Sequence, residues 1–303
     1  MRRELAAIYD ELLRRQAAGE KSVFLSGESL ALLRQAASEA PAGDVVPAAK
    51  PPARPRPSSK PPAAEESVPR KGAAPRKATN RPAIEVPPPP VVSLPEGDKA
   101  TRWQALKELV EADPWCRSQV KPGKKIVLGV GSLDSPIFYC GEAPGADEEV
   151  QGEPFVGPAG QLLTKIIQTM GFKREDVYIG NIMNYRPPMP TPVGNRPPEK
   201  EEMAYCLPYL RAQLEIVAPK VIVALGATAM DGLLGPDPKR RITRVRGQWM
   251  DFNGIPLIPT FHPSYLLRNQ TLATKRLVWE DMLAVMEHLG MPISERQRGF
   301  FKK

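Results

Sequence analysis

Two short motifs, Gly141-Glu142-Ala143-Pro144-Gly145 and His262-Pro263-Ser264-Tyr265-Leu266-Leu267-Arg268, stand about 120 residues apart in the chain. Each follows an apolar run that reads as a strand, and Phe155 and Asn181 lie between them. Together they offer a glycine-rich backbone that a ligand can approach closely, a flat ring, a carboxamide and an imidazole. Such a set could hold a planar base turned out of its stack and cleave the bond to its sugar.

The residue types narrow the chemistry further. The Asn181 carboxamide can donate and accept at once, which matches the adjacent O4 acceptor and N3–H donor of uracil. Cytosine offers the opposite order. A neutral His262 donating to uracil O2 would stabilise a departing uracil anion as an oxyanion hole does. Each residue also has a plainer reading. The Gly141–Gly145 segment alone is an ordinary strand-to-helix turn, with Glu142 and Glu148 as nearby carboxylates. Phe155 alone is a core residue, and Asn181 serves equally as a strand-end cap. His262 is one of only two histidines; the other, His288, falls in the final helical pattern.

Composition bounds the rest. The chain has 303 residues, 42% of them hydrophobic, enough for a real core. Of its 36 prolines, 16 fall in residues 41–95. That stretch carries nine basic and four acidic side chains, so most of the net charge of +8 sits there. It can attract phosphates without sequence preference, or serve only as a solvated linker. Cys116, Cys140 and Cys206 show no close pairing, which argues for a reducing cytosol and against a disulfide framework. The charged, amphipathic start is not an apolar signal core, and no run of about 18 apolar residues exists for a membrane span.

The elements that must position the motifs follow from periodicity. Residues 3–17 and 28–38 read as amphipathic helices, and 41–97 as a proline-rich, basic, disordered linker. A main domain is expected over 98–303. It opens with a helix around 103–110 and a short strand or hairpin arm at 125–130. Strands at 136–140, 176–182, 220–225 and 255–260 then alternate with helices at 160–170, 199–217, 227–234 and 275–289. This predicts a three-layer α/β fold, a four-stranded parallel sheet flanked by helices. In such sheets ligands bind at the carboxyl ends of strands, where Gly141–Gly145, Asn181, Gly226 and His262 all fall.

Both motifs in order, with Pro154–Gly160, Asn181 and Arg186-Pro187-Pro188 between them, closely resemble the bacterial and archaeal family 4 uracil-DNA glycosylases. The resemblance covers about residues 103–289. It implies excision of uracil from DNA to leave an abasic site, without a nucleotide cofactor. It assigns His262 to catalysis, Phe155 and Asn181 to the base, and the backbone around Glu142 and Ala143 to the pocket lining; Glu142 is the candidate for orienting water or stabilising the sugar cation. By it Leu266, with Tyr265 and Leu267, enters the minor groove to fill the gap left by flipping. Ser264, Arg268 and the Gly226-Ala227-Thr228 turn become phosphate contacts. Where the best-known branch of the superfamily has a water-positioning Asp, this chain has Ala143.

Family 4 members usually hold a four-iron four-sulfur cluster on four cysteines. Here Cys116 and Cys206 match the first and fourth positions, while Gln119 and Tyr185 stand at the second and third. Two thiolates cannot complete a standard cluster site, so no cofactor is expected. The expected protein is a cytoplasmic monomer acting on uracil-containing DNA, associated with the nucleoid when at work. The alternative is a non-catalytic damaged-DNA-binding protein that keeps the fold; intact Asn181 and His262 favour the enzyme. A nucleotide-binding regulator lacks a P-loop or dinucleotide fingerprint.

Overall fold

The computed structural model describes residues 85–189 and 194–302. The expected helices at 3–17 and 28–38, most of the linker and the stretch 190–193 lie outside those residues. The chain divides into two units after Lys77, and every described residue belongs to the second.

β2 (Ile137–Gly141) is buried along its whole length, as a continuous apolar run requires of a strand covered on both faces. Its side chains alternate: Ile137 and Tyr139 join one core cluster, Phe138 and Cys140 the other. β2 pairs in parallel with β3 (Tyr178–Asn181) and β4 (Val221–Leu225), and β4 with β6 (Ile255–Thr260). These are the four parallel strands the sequence predicts, but the sheet has six. β1 (Val130–Gly131) lies antiparallel against β3 and β5 (Met250–Phe252) antiparallel against β6. The order is β1-β3-β2-β4-β6-β5. Two- and three-residue edge strands are too short for a periodic signal. Asn253-Gly254, both at positive φ, nonetheless marks the β5–β6 hairpin turn.

Helices cover both faces. α4 (Pro158–Met170) and α9 (Leu272–His288) place Leu163, Ile167, Trp279, Met282 and Met286 on one face. α5 (Lys200–Val217) and α6 (Ala227–Leu234) place Leu210, Leu214, Met230 and Leu233 on the other. Burying a side chain of this size stabilises the fold by about 1.5–3 kcal/mol. A third cluster joins α5 to α1 (Lys99–Ala112) and α2 (Pro114–Gln119). Val86, Val92 and Leu94 pack against this cluster from an extended lead-in. The short α3 (Ala146–Gln151), α7 (Ile242–Val245), α8 (Pro263–Arg268) and α10 (Glu295–Gly299) complete the described helices. Among the described residues no helix is long and apolar enough to cross a membrane.

Candidate active site

At the carboxyl ends of β2, β3, β4 and β6 a cavity of about 450 Å³ opens, lined among others by Glu142, Ala143, Phe155, Asn181, His262 and Arg268. Sheet register builds its floor. Gly141 pairs with Asn181 across β2 and β3. A Cβ on Gly141 would lie 2.3 Å from Asn181 Oδ1 and 2.5 Å from Phe155 Cζ, so only glycine lets ring and carboxamide meet there. Asn181 is buried, and its Oδ1 has no hydrogen-bond partner. An unpaired buried acceptor costs about 1–3 kcal/mol, a penalty that a ligand N–H at this position would remove.

Phe155 is held in a conformation it would not choose. Its φ of 53° is left-handed, and a Cβ on Gly160 would collide with its carbonyl at 1.8 Å. Strain of this kind persists only where the surroundings impose it. The carboxylate of Glu148 does much of the imposing. Oε1 accepts from the Val156 and Gly157 N–H groups, each at 3.0 Å, and Oε2 accepts from Gly145 N–H at 3.0 Å. One buried side chain thus ties the turn after β2 to the Phe155 loop. Arg174 adds a bond to the Pro154 carbonyl at 2.6 Å. The sequence shows Glu148 only as a nearby carboxylate. Its position three residues after Gly145, in the first turn of α3, is the spacing at which a Glu reaches back to a cap N–H.

His262 caps α8. Its Nδ1 accepts from Ser264 N–H at 3.1 Å and lies 2.8 Å from Ser264 Oγ. An accepting Nδ1 puts the ring proton on Nε2. Burial and the Arg268 cation lower its pKa to about 4, against a small opposing effect from Glu148, so the ring is neutral at physiological pH. The Phe155 and His262 ring centroids are 5.6 Å apart. Behind them, buried Asp281 accepts from Thr260 Oγ1 at 2.6 Å and from Arg246 Nε at 3.0 Å, fixing the end of β6 two residues before His262. Burial raises the Glu142 carboxyl above its ordinary range, although a hydrogen bond with Thr228 opposes this.

The groove residues separate. Leu266 is 4% exposed and packs in a side cluster with Phe261 and Val278. On one turn of α8, Leu266 faces inward while Tyr265 and Leu267 face out, 36% and 37% exposed. The Tyr265 ring is stacked on Phe261 with centroids 4.7 Å apart. Ser264 holds the His262 ring, and Arg268 is exposed at the cavity wall.

The corner where the resemblance implies a cluster does not fit one. Cys116, Tyr185 and Cys206 are fully buried together. Gln119 is not among them; it is half-exposed, and its amide donates to Ser118 Oγ. The residue that turns inward beside Cys116 is Asp113. It caps α2, with Oδ1 accepting from Cys116 N–H at 2.6 Å, and its Oδ2 accepts from the hydroxyls of Tyr205 and Tyr209, each at 2.8 Å. Tyr185 Oη accepts from Trp115 Nε1 at 3.1 Å. The Cys206 thiol, burial and Asp113 together push the Cys116 thiol far up. Two thiols, a phenol and a carboxylate already bonded three times are not a cubane donor set. Among the described residues no group of three or more His, Cys, Asp or Glu side chains is arranged for a metal ion.

The model of the uracil DNA glycosylase superfamily matches residues 128–283. The type-4 uracil-DNA glycosylase of Thermotoga maritima is 46% identical over 179 residues, 59% of this chain and 84% of the relative. The type-4 enzyme of Saccharolobus solfataricus is 38% identical over 174 residues, 55% of this chain and 77% of the relative. That of Archaeoglobus fulgidus is 38% identical over 172 residues, 54% of this chain and 84% of the relative.

Proposed function

Since the chain belongs to the uracil DNA glycosylase superfamily, we propose that it flips uracil out of DNA and hydrolyses the bond between the base and its deoxyribose. The observation that carries the reading is the unpartnered Asn181 Oδ1 in a cavity that also holds the Phe155 ring and a neutral His262. Asn181 Oδ1 accepts from uracil N3–H, and its amide N–H donates to O4. Phe155 stacks on the base. The glycosidic bond breaks heterolytically: its electron pair leaves with uracil as the anion, and the sugar becomes an oxocarbenium-like cation. His262 Nε2–H donates to O2, where the negative charge collects. A water oxygen then bonds to the sugar carbon and loses a proton, giving an abasic site and, once protonated, free uracil. Glu142, beside the cavity, orients that water or offsets the cation's charge. The methyl group of Ala143 leaves space where a larger side chain would crowd the base.

Tyr265 and Leu267, the exposed pair on α8, fill the gap in the duplex, and Leu266 anchors their helix. Arg268 and the Gly226-Ala227-Thr228 turn contact phosphates. The protein works without an iron–sulfur cluster or a nucleotide. The carboxylate and phenol at the cluster corner, both committed to hydrogen bonds, support the first statement. The lack of a P-loop or dinucleotide motif supports the second.

The test uses uracil-containing oligonucleotides without added metal, followed by alkaline cleavage of abasic sites. Strand cleavage at the uracil position is expected, and intact strands would overturn the reading. Iron and sulfide analysis after anaerobic purification tests the cofactor statement. Colourless protein without stoichiometric iron is expected, and about four irons per chain would overturn it.

A further inference from the structure

We infer that the DNA strand flanking the flipped nucleotide runs from the uracil pocket over the carboxyl end of β3 into a basic cleft beside the 121–125 loop. The inference rests on DNA being the substrate and adds where its backbone goes.

The cleft has a volume of about 770 Å³ and is lined by Lys107, Arg117, Lys121, Lys124 and Lys125 against two carboxylates, Glu111 and Glu153. Its position follows from backbone bonds. Lys125 N–H donates to the Glu149 carbonyl at 2.8 Å, in the helix that follows the Gly141–Gly145 turn. Val127 N–H donates to the Asn184 carbonyl at 2.8 Å, just past the end of β3. Because β1 runs antiparallel to β3, the segment leading into it passes the same end of the sheet that carries the pocket. A third, small cavity lies between the two regions. Pro187 lines both the uracil pocket and a small cavity shared with Arg186 and Lys121, and Lys121 also lines the basic cleft.

Charge along this path is arranged for phosphates. Glu149, the carboxylate between pocket and cleft, is bracketed by Arg186 at 2.8 Å and Lys124 at 3.6 Å, so its charge is offset. Arg117, Lys121 and Lys125 are exposed on the cleft wall. A row of cations leading away from a base pocket attracts the backbone without reading sequence. None of the three touches the uracil cavity, so their contribution falls on binding and not on bond cleavage.

The experiment compares the full chain with the triple variant Arg117→Ala, Lys121→Ala, Lys125→Ala. Binding to undamaged duplex is measured by fluorescence anisotropy across a salt series. Each phosphate contact contributes about 0.9 to the slope of log affinity against log salt, so the slope should fall by about 2–3, with affinity on the order of tenfold weaker near 0.15 M salt. Single-turnover excision at saturating DNA should stay at the wild-type rate. Shortening the flanking DNA on each side of the uracil in turn should abolish the difference between the proteins on one side only. An unchanged salt slope, or an equal loss on substrates too short to reach the cleft, would overturn the inference. An acidic protein partner as the true occupant would leave DNA binding untouched and overturn it equally. Binding to undamaged DNA does not depend on excision. A protein that releases no uracil but shows the reduced slope would therefore refute the glycosylase reading and keep this one.

Discussion

The uracil pocket and the corner around Asp113 lie in one domain and treat polar groups in opposite ways. In the pocket Asn181 Oδ1 is buried and unpaired, Phe155 sits at positive φ, and His262 is kept neutral by burial. In the corner every oxygen of Asp113 has a donor: Cys116 N–H on one, two tyrosine hydroxyls on the other. Unsatisfied groups and strain cost stability and persist where a ligand completes them. A fully bonded network does the reverse, and it fixes neighbouring segments in place. Asp113 joins the start of α2 to α5, and Trp115 joins α2 to the segment after β3 through Tyr185. These hydrogen bonds hold α2, α5 and the segment after β3 together.

If that contrast is right, substitutions in the two regions should split activity from stability. The largest effect is expected from His262→Ala. Excision should slow by 10²–10³-fold, the scale of one preorganised oxyanion donor. DNA affinity should be nearly unchanged, and stability should drop only by the cap, about 1 kcal/mol. A wild-type rate in single-turnover assays would remove His262 from the chemistry.

Next in size, Asp113→Ala strands the hydroxyls of Tyr205 and Tyr209 in the core and uncaps α2. A loss of about 3 kcal/mol in chemical denaturation is expected, with the rate of the folded enzyme retained. Asp113→Asn should lose less. Burial alone would raise the Asp113 carboxyl. The Cys116 N–H, Tyr209 and Tyr205 outweigh burial and hold it below its ordinary value. A carboxyl with a depressed folded pKa contributes stability above the unfolded value and loses it as pH falls. The difference between wild type and Asp113→Asn should therefore shrink below about pH 4. Equal stability of all three proteins at neutral pH would deny the network its role.

A smaller effect tests the pocket's electrostatics. Because the active imidazole is neutral and its pKa lies at about 4, single-turnover excision should show no histidine break near pH 6.5 and should fall only as pH approaches about 4. A drop centred near pH 6.5 that disappears in His262→Ala would show an imidazole less buried than this one. The smallest effect is expected from Cys116→Ser: about 1 kcal/mol of stability and no change in excision. A large loss of activity there would point to a ligand at the corner and sharpen the contrast in the other direction.

Particular residues show what could be read in advance. The four buried strands and their helices were legible because long apolar runs announce parallel strands. Glu142, Ala143, Asn181 and His262, which line the cavity, fall at or just past the ends of those runs, whereas Phe155 stands in a loop that no such run marks. The Asn253-Gly254 pair is a hairpin signal of the same local kind. That Leu266 faces inward while Tyr265 and Leu267 face out is not legible, because a six-residue helix gives no periodicity from which to tell inward from outward. That α2 turns Asp113 inward beside Cys116, and not Gln119 at the position of the family's second cysteine, is not legible from cysteine spacing.

By itself, then, the sequence determined the α/β layering, the presence of one carboxamide and one imidazole at strand ends, and the shortage of thiolates for a cluster, because each depends on residue type and on periods within one element; the neutrality of the imidazole comes from its burial in the folded chain. Only the tertiary structure decided that Glu148 ties three backbone amides around the Phe155 loop and that Asp113 serves two tyrosines 92 and 96 positions away. It alone also put the 121–125 loop beside the end of β3. These are contacts between side chains or segments on different elements. Their partners are chosen by how the layers close over the sheet, which no local pattern encodes.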